Sequence, residues 1–432
     1  MNWLRVVVTF GLVAFMVQVS HPDTVATPNG MDHGGLTMAS VGSTTTGPYV
    51  PSYEFIRNTT ATVAALGLAG TLSLPGDANT TESFALTTTD LFVPGGNVIR
   101  YWDANGTFTT QTFDAHTYKG SVSGIDGSWA RFLVSPDGIY GMAEGVVVTP
   151  AGTPDLHCTW SYERSADQSG ISAPDRRMTV EKVCQPTSCP EIAANVAFAP
   201  SLPCRKGPSP GGIPPLPAGL KTDPKYKLVL ETWADHNYPT YAGDFASRIA
   251  SAVNAGESMW EDETLITVVI DGINVSPYTY WEYECGGAGS GLGDSGLKTF
   301  TGWVPYRPGP NAYVLFQTWN APGGGVSGCA PGPDLATHGT ADNHEAALAV
   351  TAKDFYWSDS YAPDKTSHLA LAVHHELTHN TGEPSHPSNN YGCGGHDNLM
   401  NNGAAYYYKI LCRVGSTECV LENYSYTKLY PI

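Results

Sequence analysis

The chain has 432 residues, enough for two or three domains at about 100–200 residues each and for sizeable buried cores. Lys and Arg number 22 against 40 Asp and Glu, and the net charge of −18 argues against nucleic acid or an anionic membrane as partner. Charged residues make up only 14% while Gly (47) and Pro (32) are abundant, so much of the chain is turn and loop; 41% hydrophobic and 11% aromatic residues still exclude collagen, coiled coil and wholesale disorder.

Arg5 precedes an apolar run over 6–19. That run is short for a bilayer span, which needs about 20 residues, and fits the core of a secretory signal over 1–20, with Ser20 or Ala26 as small residues at the cut. The alternative is an uncleaved signal-anchor. No later stretch is apolar enough to span, so the expectation is a secreted, extracellular protein with no membrane contact once the signal is removed. Nine cysteines (158, 184, 189, 204, 285, 329, 393, 412 and 419) then read as disulfide partners, the odd total leaving at least one thiol over. Asn58, Asn79, Asn105, Asn274 and Asn423 head Asn-X-Ser/Thr triplets that suit surface glycosylation.

Residues 21–52 are rich in Gly, Ser, Thr and Pro and predict a flexible leader. Over 53–165 short β-rich runs recur between turns: Leu91-Phe92-Val93, Val98 to Trp102, Trp129 to Val134 and Gly145 to Val148, punctuated by Pro94-Gly95-Gly96-Asn97, Asn105-Gly106 and Pro136-Asp137-Gly138. The pattern predicts an antiparallel β domain, a sandwich or barrel. The segment 166–222, with three cysteines and the Gly/Pro run over 207–215, predicts a linker open to proteolysis.

From 223 to 432 the texture is α/β. Strands are predicted at Leu228 to Trp233, Leu265 to Ile270, Tyr313 to Phe316 and Ala346 to Val350, with helices over 240–260 and 364–381, the second capped by Asp364 or Thr366. That last helix carries His375-Glu376-Leu377-Thr378-His379. Histidines at i and i+4 share a helix face and can hold one metal with the intervening glutamate beside it. His374 points about 100° away around the helix and is not expected to bind. His338 and His344 read as solvated surface histidines. Beyond the helix, Asn380-Thr381-Gly382 supplies a stop and turn, His386 a third imidazole, and Asp397-Asn398-Leu399-Met400-Asn401 a downstream methionine.

These residues resemble the HExxHxxGxxH motif and Met-turn of the metzincins, and within them the reprolysin (adamalysin) family. Lys225 to Leu230 followed by Ala234-Asp235-His236 is similar to the family's opening strand, and Cys419-Val420-Leu421 to its closing segment. Tyr118 to Gly124, Ser128 and Gly138-Ile139-Tyr140-Gly141 are similar to its pro-domain. The resemblance implies a metzincin-like α/β catalytic domain (twisted mixed sheet with active-site helix) behind a mostly β propeptide domain at 53–165, made as a zymogen. It implies Zn2+ held by His375, His379 and His386, Glu376 as catalytic base, Met400 as an apolar floor, and a peptide or protein substrate taken by a monomer. The family's third ligand would fall at Ser385, so either the turn holds one extra residue to present His386, or Asp397, His396 or Glu383 takes that place; Pro387 stands where the family has Asp. The family's disulfides imply Cys329–Cys419 and Cys393–Cys412, leaving Cys285 over. Val229 stands where its calcium-binding glutamate would be, and no calcium is expected. Asp235 is expected to be structural.

The resemblance also raises an inhibitory thiolate at Cys184 on the zinc, against a disulfide within the set Cys158, Cys184, Cys189 and Cys204. A cut near 207–215 would give a mature chain starting between 205 and 225. Two rival readings are a catalytically degenerate extracellular binding or adhesion protein on the same fold, and a zinc protease of another clan with a carboxylate third ligand.

Overall fold

The computed structural model describes residues 52–151, 155–186, 226–264, 266–279, 300, 303–305, 310, 312–318, 328–330, 347–351, 365–380 and 430–431. Ten strands and one helix come first: β1 (Ser52–Asn58), α1 (Thr59–Ala69), β2 (Thr71–Pro75), β3 (Thr81–Thr88), β4 (Val98–Trp102), β5 (Phe108–Thr112), β6 (His116–Val122), β7 (Trp129–Ser135), β8 (Gly138–Val147), β9 (Leu156–Arg164) and β10 (Asp175–Pro186). They are followed by β11 (Tyr226–Ala234), α2 (Tyr238–Tyr241), α3 (Phe245–Thr264), β12 (Ile266–Val275), β13 (Ala312–Gln317), β14 (Gly328–Cys329), β15 (Ala347–Thr351), α4 (Thr366–Asn380) and β16 (Tyr430–Pro431).

Two sheets result. The first is antiparallel throughout, in the order β1-β10-β9-β8-β7-β6-β3-β2. The second is mixed, in the order β14-β15-β13-β11-β12-β4-β5, with β16 paired to β11. Strands β15, β13, β11, β12 and β4 run parallel, while β14 and β5 are antiparallel to their neighbours. The class is therefore α/β with an added antiparallel sheet.

Every residue of β7 is buried because both faces of the first sheet are covered there. Ala130, Phe132 and Val134 join Phe84 and Tyr162 in a core of the first sheet's own, with the Phe84 and Phe132 rings 4.9 Å apart. The alternate residues Trp129 and Leu133, with Tyr140 and Met142 of β8, pack into a second core with Ile249 and Val253 of α3 and Leu371 and Val373 of α4. The run Trp129 to Val134, apolar but for the buried Arg131, carries large apolar residues on both strand faces to match this two-sided burial.

Two expectations are corrected. The β4–β5 hairpin does not stay in the antiparallel sheet; it adds to the mixed sheet. Ile99, Arg100 and Tyr101 lie in parallel register with Ile273, Asn274 and Val275, the Trp102 indole N–H donates to Asn274 (2.8 Å), and Arg100 donates to the Asp271 carbonyl (2.5 Å). Gly272 makes room for that guanidinium, since a Cβ there would lie 2.5 Å from it. Second, part of the expected linker over 166–222 is β10, where Met178 and Val180 alternate inward and are buried. The Cys, Pro and Gly content of the segment obscured that alternation. Residues 187–225, including 207–215, lie outside the described residues, as do the expected signal over 1–20 and residues 21–51 of the expected leader.

A buried polar cluster joins the first sheet to α3. The Tyr140 hydroxyl donates to Asp244 (2.7 Å), Arg248 donates to the same carboxylate oxygen (3.0 Å), and Arg248 also faces Glu163 of β9 at 3.5 Å. Ser247 links to Ser135 (2.8 Å) and donates to Asp137 (3.0 Å), and the Asn254 amide donates to the Phe132 carbonyl (3.1 Å). Burial pushes the Asp244 carboxyl up, but Arg248 and the Tyr140 hydroxyl outweigh it and hold it below the ordinary range. A carboxyl lowered in the folded state contributes stability above its unfolded value, near 3.9, and loses it as pH falls through its folded value. Asp244→Asn is expected to destabilise the protein by about 3 kcal/mol at neutral pH, because Arg248 keeps a buried charge with one partner fewer. In urea titrations the gap from the parent should narrow below about pH 4.

Candidate metal centre

Helix α4 begins at Thr366, which is its first residue and not its cap. Asp364, the other expected cap, lies outside the described residues. The backbone N–H groups of His368 and Leu369 close on the Lys365 carbonyl at 3.0 Å each. The Thr366 N–H donates to Glu163 of β9 (3.3 Å), placing an anion at the positive end of the helix. Lys365 pairs with Glu181 of β10. Both carboxylates come from the first sheet, 203 and 184 residues away in sequence. Burial pushes the Glu163 carboxyl up, against the opposing pull of Arg248 and Lys365.

From Leu369 to Leu377 every side chain of α4 is buried. The helix is wedged among α3, β15, β14, β8 and β9. His374 turns toward α3: its Nδ1 donates to the Ala370 carbonyl at 3.0 Å, and burial lowers its pKa to about 4. The imidazole is thereby neutral at pH 7, with its Nδ1–H held within its own helix. Gly256 of α3 leaves the space, since a Cβ there would lie 2.0 Å from that nitrogen and 2.6 Å from the Ala370 carbonyl oxygen.

His375 and Glu376, next to His374, are wholly buried in the middle of α4. Burying two titratable groups in such a segment is costly unless their polar atoms are engaged. The Glu376 carboxylate lies against Gly328 of β14, where a Cβ would fall 2.3 Å from Oε1. The bare backbone of Gly328 is thus a cradle for that carboxylate, at the antiparallel strand ending the mixed sheet. His379 falls four residues beyond His375 on the same helix, on the face that i and i+4 share; its side chain, and all of His386, Asp397, His396, Glu383, Gly382 and Met400, lie outside the described residues. Among the described residues no three His, Cys, Asp or Glu side chains gather as a metal site. The residue types that the sequence places here, imidazoles at i and i+4 with a carboxylate adjoining the first, are of a kind that can bind a zinc-type ion.

Cys184 does not act as a free thiolate. It faces Cys158 directly across β9 and β10 and is disulfide-bonded to it, which corrects the inhibitory-switch expectation. Cys189 and Cys204, and the partners implied for Cys329 and Cys393, lie outside the described residues. Asp235 is structural: its carboxylate accepts the backbone N–H groups of Asn237 (3.1 Å), Tyr238 (3.0 Å) and Thr318 (2.7 Å), and the Thr318 hydroxyl (2.7 Å). Of the Asn-X-Ser/Thr sites, Asn79 and Asn105 are exposed, whereas Asn274 is buried between Trp102, Glu231 and the Thr232 carbonyl. Gly256, Gly328 and Glu163 were not singled out from the sequence; a Gly-rich stretch before Cys329 was the only trace of the second.

No protein-family model matches the chain, and no curated protein matches it in sequence. Among solved structures, metalloproteinase-II from Bacteroides fragilis aligns over 81% of this chain and 90% of its own, at a TM-score of 0.42 and 13% identity. At that distance the chemistry has to be read from this chain's own residues.

Gly256→Ala should force α3 and α4 apart and cost about 1–3 kcal/mol as an overpacked contact. Thermal unfolding monitored by near-ultraviolet circular dichroism checks it.

Proposed function

We propose that the chain is a secreted zinc-dependent endopeptidase of the metzincin type, similar to the reprolysins. What carries the reading is Glu376: a buried carboxylate between histidines at i and i+4, cradled by a glycine of an antiparallel strand at the end of the sheet. A binding protein has no need of a base in that position. His375, His379 and His386 would hold the ion, and bound zinc supplies Lewis acidity, polarising a carbonyl and acidifying water. Glu376 accepts a proton from the attacking water and returns it to the leaving amine nitrogen. Its burial excludes bulk water from that transfer. The net charge of −18 suits protein or peptide substrates over nucleic acid, and the chain acts as an extracellular monomer free of the membrane.

Glu376→Gln should keep zinc and fold and lose at least about 10²–10⁴-fold in casein hydrolysis. A parent protein that binds zinc yet fails to cleave casein would favour the degenerate binding protein. His386→Ala should sharply weaken zinc retention while Ser385→Ala leaves it unchanged; the reverse, or loss only in Asp397→Ala, points to a different clan.

Gly328→Ala should push the Glu376 carboxylate off its position. A displacement near 1 Å costs on the order of 10²-fold in turnover. Zinc content should stay at the parent level, because the histidines are untouched; steady-state kinetics beside metal analysis separates the two effects.

A further inference from the structure

The sequence places a proteolytic cut between the two halves of the chain and expects the first to be shed. The contacts between those halves are of a kind that shedding would not leave intact. The mixed sheet contains β4 and β5 from the first half, and β4 pairs directly with β12. The preceding segment adds two backbone hydrogen bonds to β12, Val93 N–H to the Ile270 carbonyl (3.0 Å) and Ile270 N–H to the Leu91 carbonyl (2.7 Å). On one face of that sheet, Trp102 stacks 5.5 Å from Trp233. On the other, Trp129, Leu133, Tyr140 and Met142 share one core with α3 and α4. Arg248 is buried with its partners Asp244 and Glu163 on opposite sides of the divide.

Loss of the first half would leave β12 as an open strand edge, which templates pairing with other chains. It would bare an apolar face of α3 together with the Arg248 charge. It would also take Glu163 from the N-terminus of α4 and Glu181 from Lys365. An interface that completes a sheet, shares a core and encloses ion pairs has the character of an obligate one.

We propose that residues 52–186 are a permanent structural partner of the segment from 226 onward. A cut between 187 and 225 therefore yields a two-chain protein held by the shared sheet, and Glu163 serves in it as a positioning residue for α4. The partner is the chain's own first half, and this holds whether or not the helix is catalytic.

The test uses the full-length protein with a site-specific protease sequence inserted within 207–215. After complete cleavage, both fragments should co-elute in native size exclusion at about 1 µM, where a complex of sub-micromolar Kd stays together. They should separate only in denaturant and unfold in a single transition. Two separate folded peaks overturn the proposal. If the insertion prevents folding, limited thermolysis of the unaltered chain, with the cut located by N-terminal sequencing, gives the same readout. Casein hydrolysis by a separated, folded fragment beginning near 226 would refute the partnership and uphold the protease reading. Co-elution without hydrolysis would do the opposite. Glu163→Gln in the nicked protein should raise amide exchange in the first turn of α4 about tenfold or more, leaving exchange in β7 and β8 unchanged; equal change in both, or none, refutes the positioning role.

Discussion

Helix α3 is enclosed on every side that the described residues reach, and the rest of the molecule is arranged around that enclosure. One flank lies on β12 of the mixed sheet, another under β7 and β8 of the antiparallel sheet, and a third against α4. A helix so placed cannot be amphipathic in the ordinary way, with one face reserved for water. Its sequence instead alternates small and apolar residues with Ser247, Arg248, Ser251, Asn254, Glu257 and Ser258, all buried. Buried polar groups of this sort require partners. Here Ser247, Arg248 and Asn254 find them across the sheet, in Ser135 and Asp137, Glu163, and the Phe132 carbonyl. The polar face of α3 is thus a specificity device that admits one seating of the first sheet.

That seating governs the candidate site. Helix α4 rests on α3 through Gly256 and His374, a contact with no slack for even one methyl group. Its opposite side meets β14 through Gly328 and Glu376, equally close. A helix clamped at two glycines presents its histidine face at a set rotation. Its N-terminus is held by Glu163 and Glu181, so the orientation of the site depends on residues from both halves of the chain. Rigid support of a reacting group from more than one element is what geometric catalysis requires.

The disulfide between Cys158 and Cys184 fits the same picture. It clips β9 to β10, the strands that supply Glu163 and Glu181. The cysteine is thereby committed to supporting the sheet that holds α4 and is not a free thiolate. A segment whose composition suggested a linker is in part a central strand, with β1 on one side and β9 on the other.

The sequence by itself determined what depends on near neighbours along the chain. The placement of His375 and His379 at i and i+4 about Glu376, the helix that carries them and the strand at Trp129 to Val134 all follow from helical or strand patterning, which is local. The structural role of Asp235 was implied by the resemblance of Ala234-Asp235-His236 to the end of the reprolysin opening strand. Tertiary structure alone decided the rest. Strand β4 pairs with a strand 174 residues further on, between Ile99 and Ile273, and nothing in Val98 to Trp102 favours that edge over the antiparallel one. Gly256 and Gly328 matter only because another element's side chain occupies the space a Cβ would take. The capping of α4 by Glu163, and the choice of Cys158 for Cys184, are likewise meetings of residues far apart in the chain. Which distant groups meet is set by how the two sheets pack on α3, and packing is a property of surfaces that exist only after the chain has folded.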